Sequence, residues 1–349
     1  MWNVGLDYHV RMSSLHILDA HGKKVNALTV QGPWTELVAV LGRLADQARA
    51  VGEKLAICYE ASCGYGHLFE QFSRVAARVV VAHPGQLRLI FKSKRKNNPV
   101  DAAKLALLLL LDQVPPVWVP SQDVRAWRRL IEHRRRTVDK RTRCKNQLRA
   151  LLRTHGIALP PGKKLWALKQ RAWLRSVALP TPVDALQRDI LLEELDHQDR
   201  QVLRVTQELD RLARHHPGVM LLRTIPGVGP RTAEAVVAYI DQPGRFRRRK
   251  CIGAYLGLVP CQDASAGVNR LGHITREGPG TVRKLLIEAA WQGVRRSPRV
   301  RAFYDRIVGG KDDRRKIALV ATAHWLARVM LAMLCHGEAW RPEAPAAAA

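Results

Sequence analysis

Three carboxylates stand where an α/β domain places the ligands of a metal site. Asp7 ends a strand pattern, Glu60 ends a later apolar strand, and Asp101 opens a helix. Strand ends of an α/β sheet can bring such acids to one cleft. Clustered carboxylates repel one another and usually persist because they hold a hard cation such as Mg²⁺. We interpret the three together as a magnesium site, whereas each alone is better explained as a surface acid or a helix cap.

The charge balance indicates a substrate for such a site. The chain has 58 Lys and Arg residues against 30 Asp and Glu residues, a formal net charge of +28. An excess of this size needs a polyanion or a membrane surface. The apolar run 105–111 is too short to span a bilayer, so the sequence predicts nucleic acid and no membrane. Two Mg²⁺ ions would stabilise the attacking and leaving oxygens of a phosphodiester displacement.

The cysteines and the N-terminus predict a reduced, cytoplasmic setting. Six cysteines form no C-x-x-C pair, so neither a zinc site nor a disulfide framework is expected. The chain starts directly in an alternating strand pattern, which does not fit a signal peptide.

The acids are positioned by a predicted α/β domain. Strand patterns cover residues 4–10, 13–19, 24–30, 54–60 and 77–82, and helix patterns cover 33–50, 65–76 and a segment from Asp101. The order βββαβαβ resembles an RNase H-like (RuvC-like) α/β domain, which we assign to residues 1–120.

Two segments of the chain are strongly basic. A loop at 92–96 and a long helix at 121–155 are expected to contact nucleic-acid backbone; the helix has twelve Lys and Arg residues against three acids. The predicted contacts are Lys92, Lys94, Arg95, Lys96, Arg128, Arg129, Arg134, Arg135, Arg136, Lys140, Arg141 and Lys145.

A second long helix, 184–215, carries a heptad pattern. Leu195, Val202 and Leu209 repeat every seven residues, beside a second seam of Leu191, Gln198, Val205 and Leu212. The pattern fits a short coiled coil that pairs two chains, and equally a helix packed inside its own domain. We assign residues 121–217 to this helical, coiled-coil region.

The remainder, 218–340, is predicted to be mostly helical, with a frayed tail at 341–349. Gly227 and Gly229 precede a helix and resemble a helix-hairpin-helix, whose backbone N–H groups approach a phosphate. An ordinary turn between packed helices is the alternative. Arg247, Arg248 and Arg249 form either a phosphate-contact cluster or a solvated face.

One serine in this region has the surroundings that a nucleophile needs. Ser265 is expected in a loop of small residues, followed by Arg270, His273 and Arg276. An exposed hydroxyl and nearby positive charge suit attack on a phosphate, although an isolated loop serine is nearly always inert.

The order of these parts resembles one family, the insertion-sequence transposases with an N-terminal DEDD domain, a C-terminal serine-bearing transposase domain and a structured bridge RNA. The resemblance covers nearly the whole chain. It rests on Gly5-Leu-Asp7, Glu60-Ala-Ser, the stretch 96–102, the segment from Val119, Pro226-Gly-Val-Gly-Pro, Tyr255-Leu-Gly-Leu-Val-Pro260 and Gly272-His-Ile-Thr.

The resemblance implies a division of roles. Asp7, Glu60 and Asp101 would hold Mg²⁺, and Ser265 matches the serine that joins covalently to DNA. The two sites would form a composite active site across protomers of a dimer that pairs into a tetramer. Base pairing to the guide RNA would select target and donor DNA, while the protein holds nucleic-acid backbones.

One position departs from the family pattern. The family has an acid three residues before Asp101, and this chain has Asn98 there. The amide oxygen of Asn98 can still ligate Mg²⁺, but one negative charge is missing, so we expect weaker metal binding.

Two alternatives to an RNA-guided transposase follow from the same residues. In the first, the chain is a metal-dependent junction nuclease, which needs no Ser265. In the second, it is a nucleic-acid-binding relative of the transposases that is impaired at Asn98.

Overall fold

The computed structural model describes residues 1–90, 98–159, 163–265 and 267–342. The chain divides into two compact units, Met1–Asp123 and Val124–Ala349.

The first unit is built on a five-stranded mixed sheet. Its strands are β1 (Trp2–Tyr8), β2 (Met12–Leu18), β3 (Lys24–Gln31), β4 (Leu55–Glu60) and β5 (Arg78–Ala82), in the spatial order β3-β2-β1-β4-β5. Strands β1, β2 and β3 pair antiparallel, while β4 is parallel to both β1 and β5. The predicted mixed α/β order is therefore confirmed, and the strand order agrees with the RNase H-like prediction.

In the described part of the first unit, four helices accompany this sheet. They are α1 (Trp34–Ala50), α2 (Tyr65–Phe72), α3 (Pro84–Ile90) and α4 (Asn98–Leu110). Sequence analysis missed α3 and began α4 at Asp101, whereas the helix starts one turn earlier. Apolar side chains of α1 and α2 pack on one face of the sheet, and those of α4 pack on the other.

The second unit is mostly helical, as predicted. Its helices are α5 (Gln122–Thr154, which begins just before the unit does), α6 (Leu168–Ser176), α7 (Pro182–Ala213), α8 (Pro217–Leu222), α9 (Pro230–Ile240), α10 (Cys251–Tyr255), α11 (Gly280–Arg296), α12 (Pro298–Val308) and α13 (Arg315–His336). The largest core joins α8, α9, α11 and α13 to parts of α5 and α7. A hairpin of β6 (Pro260–Ser265) and β7 (Val268–Ile274) interrupts the helices.

The heptad seam of α7 is buried in its own chain. Leu195 and Leu209 are fully buried, and Val202 is 8% exposed. Leu195 belongs to a core cluster with Leu148 of α5, and Leu209 belongs to one with Ile131 of α5. The seam is therefore filled by the same chain, which confirms the second interpretation of the heptads. Chain pairing gains no support from these residues.

Helix α13 is a longer apolar segment than the run 105–111. The stretch Asp312–His336 is long and apolar enough to cross a membrane by length and composition. Its buried side chains, among them Leu326, Met330 and Leu331, belong to the largest core. Burial in that core accounts for the apolar composition of α13, because a core helix meets the same criteria.

Candidate functional site

Asp7 and Glu60 lie on neighbouring strands at the same edge of the sheet. Leu6 of β1 pairs with Tyr59 of β4, so the next residues in each strand, Asp7 and Glu60, are neighbours as well. Alternation along β1 places Asp7 on the same face as Gly5, which is the face covered by α4. The parallel pairing therefore brings the two acids to one end of one face, as predicted.

Helix α4 brings Asp101 to that face. A β-carbon on Gly5 would overlap the carbonyl oxygen of Ala102 and the backbone nitrogen of Ala106, so α4 lies directly on β1 at this point. Asp101 precedes Ala102 in the helix, and Gly5 precedes Asp7 by two residues in the strand. The close backbone approach thus holds Asp101 near the end of β1 that carries Asp7.

The three acids share a face without forming a tight cluster. Asp7 Oδ2 lies 3.4 Å from His9 Nε2, and Asp101 Oδ1 lies 3.3 Å from Lys104 Nζ. Within residues 1–90, 98–159, 163–265 and 267–342, no three His, Cys, Asp or Glu side chains are grouped closely enough to hold a metal ion. The donor chemistry fits a divalent cation, whereas the side chains would have to move together to bind one.

Asn98 is the first residue of α4 and lies one turn before Asp101. Its side chain is half-buried. The predicted contacts at Lys92, Lys94, Arg95 and Lys96 lie outside the described residues.

The cations of α5 fall into two groups. Five of the predicted contacts are engaged within the chain. The guanidinium of Arg128 donates to the carbonyls of Ala238 and Tyr239. Arg134 donates to Thr206, and Arg141 pairs with Asp199. Arg135 pairs with Glu132 and Asp139, and Lys145 lies over the Trp166 ring. Apart from the Arg135 pairs, which lie within α5 itself, these contacts fix α5 against the rest of its unit. Other cations of α5 are therefore better candidates for binding an external partner.

The second group forms a stripe on the exposed side of α5. Arg129, His133, Arg136, Lys140 and Arg143 are all exposed and follow one another at intervals of three or four residues. Residues at this spacing lie on one face of a helix. At about 1.5 Å per residue the stripe is roughly 21 Å long. We call these five residues the α5 stripe.

The two glycines of the α8–α9 turn have different roles. Gly227 has φ +94°, and a β-carbon there would lie 2.6 Å from the backbone nitrogen of Gly293 in α11. Gly227 is therefore required by the turn and its packing. Gly229 is exposed, has an ordinary φ of −85°, and would accept a β-carbon without any contact within 4 Å. Only Gly229, at the N-terminus of α9, leaves its backbone open to an external phosphate.

The arginine cluster before α10 is divided as well. Arg247 and Arg248 border an open surface depression together with Lys250. Arg249 does not line this depression, and its Nη2 donates to Nε2 of His336 at 2.8 Å.

Ser265 is the last residue of β6, which corrects its placement in a loop. It pairs with Val268, and Asp263 pairs with Arg270. Paired and alternate residues share a face in a hairpin, so Ser265, Asp263 and Arg270 lie on the same face. All three are exposed. The hydroxyl therefore stands beside a cation and the one carboxylate of the hairpin.

The base of the hairpin is held by close backbone packing. Arg276 follows β7 with φ +56°, and a β-carbon on Gly257 or Gly278 would overlap the opposite backbone segment. Arg283 of α11 donates to the carbonyls of Leu256, Glu277 and Arg276. Burial, together with the charge of Arg276, lowers the pKa of Arg283. These contacts fix the start and end of the hairpin while its strands remain exposed.

Sequence reasoning missed Asp263, Arg283 and the helix-capping role of Arg245. Arg245 donates to the carbonyls of Ile240 and Tyr239 at the C-terminal end of α9. Gly267 was the available signal for a hairpin, because a glycine supplies the positive φ that a tight turn requires.

Two family models match the chain over separate regions. A model of the IS110 DEDD transposase domain matches residues 4–157, and a model described as "Transposase IS116/IS110/IS902 family" matches residues 219–305. The chain belongs to this family of transposases.

Curated relatives carry the same name. A Sinorhizobium fredii protein named as transposase y4qE is 30% identical over 262 residues, which are 74% of this chain and 64% of the relative. A Pseudomonas aeruginosa protein named as a family 20 transposase is 29% identical over 303 residues, 85% of this chain and 89% of the relative. The Coxiella burnetii transposase for insertion sequence element IS1111A is 29% identical over 67% of this chain and 64% of its own length. The matched regions thus cover just under two thirds of the first and third relatives.

The structure of Thermus thermophilus RuvC matches 34% of this transposase and 100% of the RuvC chain, with a TM-score of 0.25 and 16% identity. A TM-score this low supports no assignment, so the description of the first unit rests on its own strand order.

The two matched regions contain the two candidate sites. Asp7, Glu60, Asp101 and the α5 stripe lie in the DEDD match, and Gly229, Ser265 and Arg270 lie in the second match. The transposase therefore has an acidic sheet edge in one family domain and an exposed serine hairpin in the other.

Proposed function

We propose that this protein is an RNA-guided DNA recombinase of its insertion sequence, which cleaves and joins strands through Ser265. The observation that carries the proposal is the position of Ser265 on an exposed hairpin face with Arg270 and Asp263. A nucleophilic hydroxyl needs access to a phosphodiester, and the developing negative charge needs a nearby cation.

The covalent step follows from that face. The Oγ atom of Ser265 forms a bond to phosphorus while the bond from phosphorus to the leaving strand oxygen breaks. Asp263 is the hairpin carboxylate placed to receive the hydroxyl proton, and Arg270 is placed to bind the non-bridging oxygens. The reverse reaction, with a second strand end as the attacking oxygen, releases Ser265 and joins the strands.

The acidic edge would hold a divalent cation such as Mg²⁺, with Asp7, Glu60 and Asp101 as ligands and the Asn98 amide as a neutral fourth donor. A bound cation would supply charge stabilisation to a phosphate oxygen. The three acids would position that cation on the α4 face of the sheet, where the Gly5–Ala102 contact constrains their spacing.

The exposed basic surfaces support binding to nucleic-acid backbone. The α5 stripe, the open backbone at Gly229, and Arg247 and Arg248 can all contact phosphates without reading sequence. Guidance by a structured RNA is our inference from the family resemblance, and it agrees with phosphate contacts that carry no sequence information. Assembly into dimers and tetramers is inferred on the same ground.

The deciding experiment looks for protein covalently joined to DNA. The protein is purified from its host without nuclease, its bound RNA is sequenced, and the complex is incubated with Mg²⁺ and plasmid DNA that carries the ends of its own element. We expect a specific structured RNA and a protein–DNA adduct that Ser265→Ala abolishes. Ser176→Ala, at another exposed serine of the same unit, is the matched control and should leave the adduct intact.

The alternatives give other results in the same assay. Cleavage that survives Ser265→Ala but is lost in Asp7→Asn would identify a metal-dependent junction nuclease. Bound RNA with neither cleavage nor adduct, and recovery of both in Asn98→Asp, would identify a relative impaired at the acidic site.

A further inference from the structure

The second unit contains a cavity of about 620 Å³ that the proposed chemistry does not use. It lies between the C-terminal half of α13, the start of α12 and the segment 338–342. Gly337, with φ +70°, ends α13 and turns the chain back over the helix, which creates the outer wall. A volume of this size is within the range of small-ligand sites, which is roughly 300 to 1,000 Å³.

The wall is held in place by its own contacts. The Trp340 backbone N–H donates to Thr224 Oγ1 at 3.0 Å, and Arg299 Nη1 donates to the Arg341 carbonyl at 2.7 Å. The Arg299 guanidinium also lies 4.8 Å from the centre of the Trp340 ring. The cavity is therefore formed by a fixed segment.

The lining combines an apolar floor with a basic rim. Val329, Met333 and Trp340 supply apolar and aromatic surface, while Arg249, Arg299 and Arg341 supply positive charge. The only acid in the lining, Glu338, is paired with Arg341 at 2.9 Å. Arg249 contacts a histidine nitrogen. The rim thus carries a net positive charge next to a surface suited to a flat aromatic ring.

We propose that this cavity binds one unpaired nucleotide of a single strand, with the base against Met333 and Trp340 and its phosphate between Arg249 and Arg299. Base–aromatic stacking and arginine–phosphate contact are the two interactions by which proteins bind single strands without sequence preference. A paired base is held in its duplex and cannot enter. The inference rests on the proposed function, since it assumes a nucleic-acid partner, and it adds a site that distinguishes single strands from duplexes.

The test measures binding of three fluorescent 12-mers, a single-stranded RNA, a single-stranded DNA and a DNA duplex, by the full chain at one fixed salt concentration. Two variants address the cavity: Arg249→Gln removes a rim cation, and Ala339→Glu, at an exposed lining position, adds a negative charge. We expect each to weaken single-strand binding by about 10-fold and to leave duplex binding within about twofold. Arg248→Gln, next to Arg249 but outside the cavity, is the matched control and should affect single strands and duplex equally.

A second readout is independent of affinity. Single strands that carry 4-thiouracil (RNA) or 4-thiothymine (DNA) are crosslinked by light, and the site is mapped by mass spectrometry. We expect crosslinks within 329–341, lost in Ala339→Glu, and the more strongly crosslinked of the two strands identifies the source of the nucleotide.

An unchanged ratio of single-strand to duplex affinity in both cavity variants, with crosslinks elsewhere, would overturn the proposal. Failure of the underlying function looks different, because then no 12-mer would bind the unsubstituted protein at all.

Discussion

Gly5 and Ala102 lie so close together that no side chain fits between strand β1 and helix α4. The contact joins the strand that carries Asp7 to the helix that carries Asp101, so the spacing of the two acids depends on a missing β-carbon.

We therefore predict that Gly5→Ala damages the acidic edge and the stability of the first unit. The added methyl group would meet backbone atoms of α4, which cannot move aside as a side chain can, so a loss of roughly 1 to 3 kcal/mol or more is expected. Urea unfolding measures this loss in the free energy of unfolding. Gly42→Ala, in α1 with nothing within 4 Å, is the control and should stabilise the same unit by about 0.5 to 1 kcal/mol. Equal stability of both variants would show that α4 does not lie on β1.

The α5 stripe predicts a change in the salt dependence of nucleic-acid binding. Replacing Arg129, Arg136, Lys140 and Arg143 with Gln removes four exposed cations. If all four contact phosphates, the slope of log affinity against log salt should fall by about 3 to 4, because each contact contributes about 0.7 to 0.9. Fluorescence anisotropy across a salt series measures the slope.

The matched control for this prediction is a change of inward cations on the same helix. Arg134→Gln and Arg141→Gln remove positive charges that are engaged with Thr206 and Asp199. They should lower stability and leave the salt slope unchanged. A slope that fell by the same amount per removed charge in both sets would indicate a general effect of net charge without a defined surface.

Sequence alone predicted the five strands of the first unit and their order along the chain, because alternation and turn residues are local signals. It also predicted which strand ends carry acids. Sequence alone did not separate the two sets of cations on α5, since the direction of each side chain depends on the residues that α7 and α9 place opposite it. Arg134 and Arg136 have the same side chain and neighbouring positions, but only Arg134 meets Thr206.

Two other features needed tertiary information. The heptads of α7 fit a partner helix from any source, and the structure supplies α5 of the same chain. The hairpin of β6 and β7 has no buried face to create a strong periodic pattern, so Ser265 was placed in a loop. For α7 the local pattern was correct but did not identify its partner, and for the hairpin the local pattern was too weak to show the pairing.

Glu234 gives the second unit a predicted pH dependence. This carboxyl is 1% exposed, and burial raises its pKa from 4.5 to about 7, against the opposing charges of Arg231 and Arg134. The folded state therefore keeps a proton that the unfolded state releases between pH 4.5 and 7. This group's contribution to the free energy of unfolding should be highest below about pH 4.5. It should fall by roughly 1.4 kcal/mol per pH unit up to about pH 7.

Chemical unfolding at a series of pH values checks the prediction. Glu234→Gln has no ionisable group and should remove this fall in stability, while Glu193→Gln, at an exposed position of α7, should retain it. A wild-type slope in the Glu234→Gln variant would assign the pH dependence to other groups.

Asn98 predicts that the acidic edge gains metal affinity from a single substitution. Asn98 lies one helical turn before Asp101 at the start of α4, so Asn98→Asp adds a negative charge beside the three carboxylates. A fourth carboxylate should tighten the binding of Mg²⁺ or Mn²⁺ by about 10-fold or more, since the cation offsets the repulsion among the acids. Isothermal titration with Mn²⁺ and the rise in melting temperature on adding Mn²⁺ both report binding without any DNA. Asn146→Asp, which adds the same charge at an exposed position of α5, should change neither. Equal Mn²⁺ affinity in the Asn98→Asp variant and the unsubstituted protein would mean that the amide lies outside the ligand set, and that Asp7, Glu60 and Asp101 bind the cation without a donor at position 98.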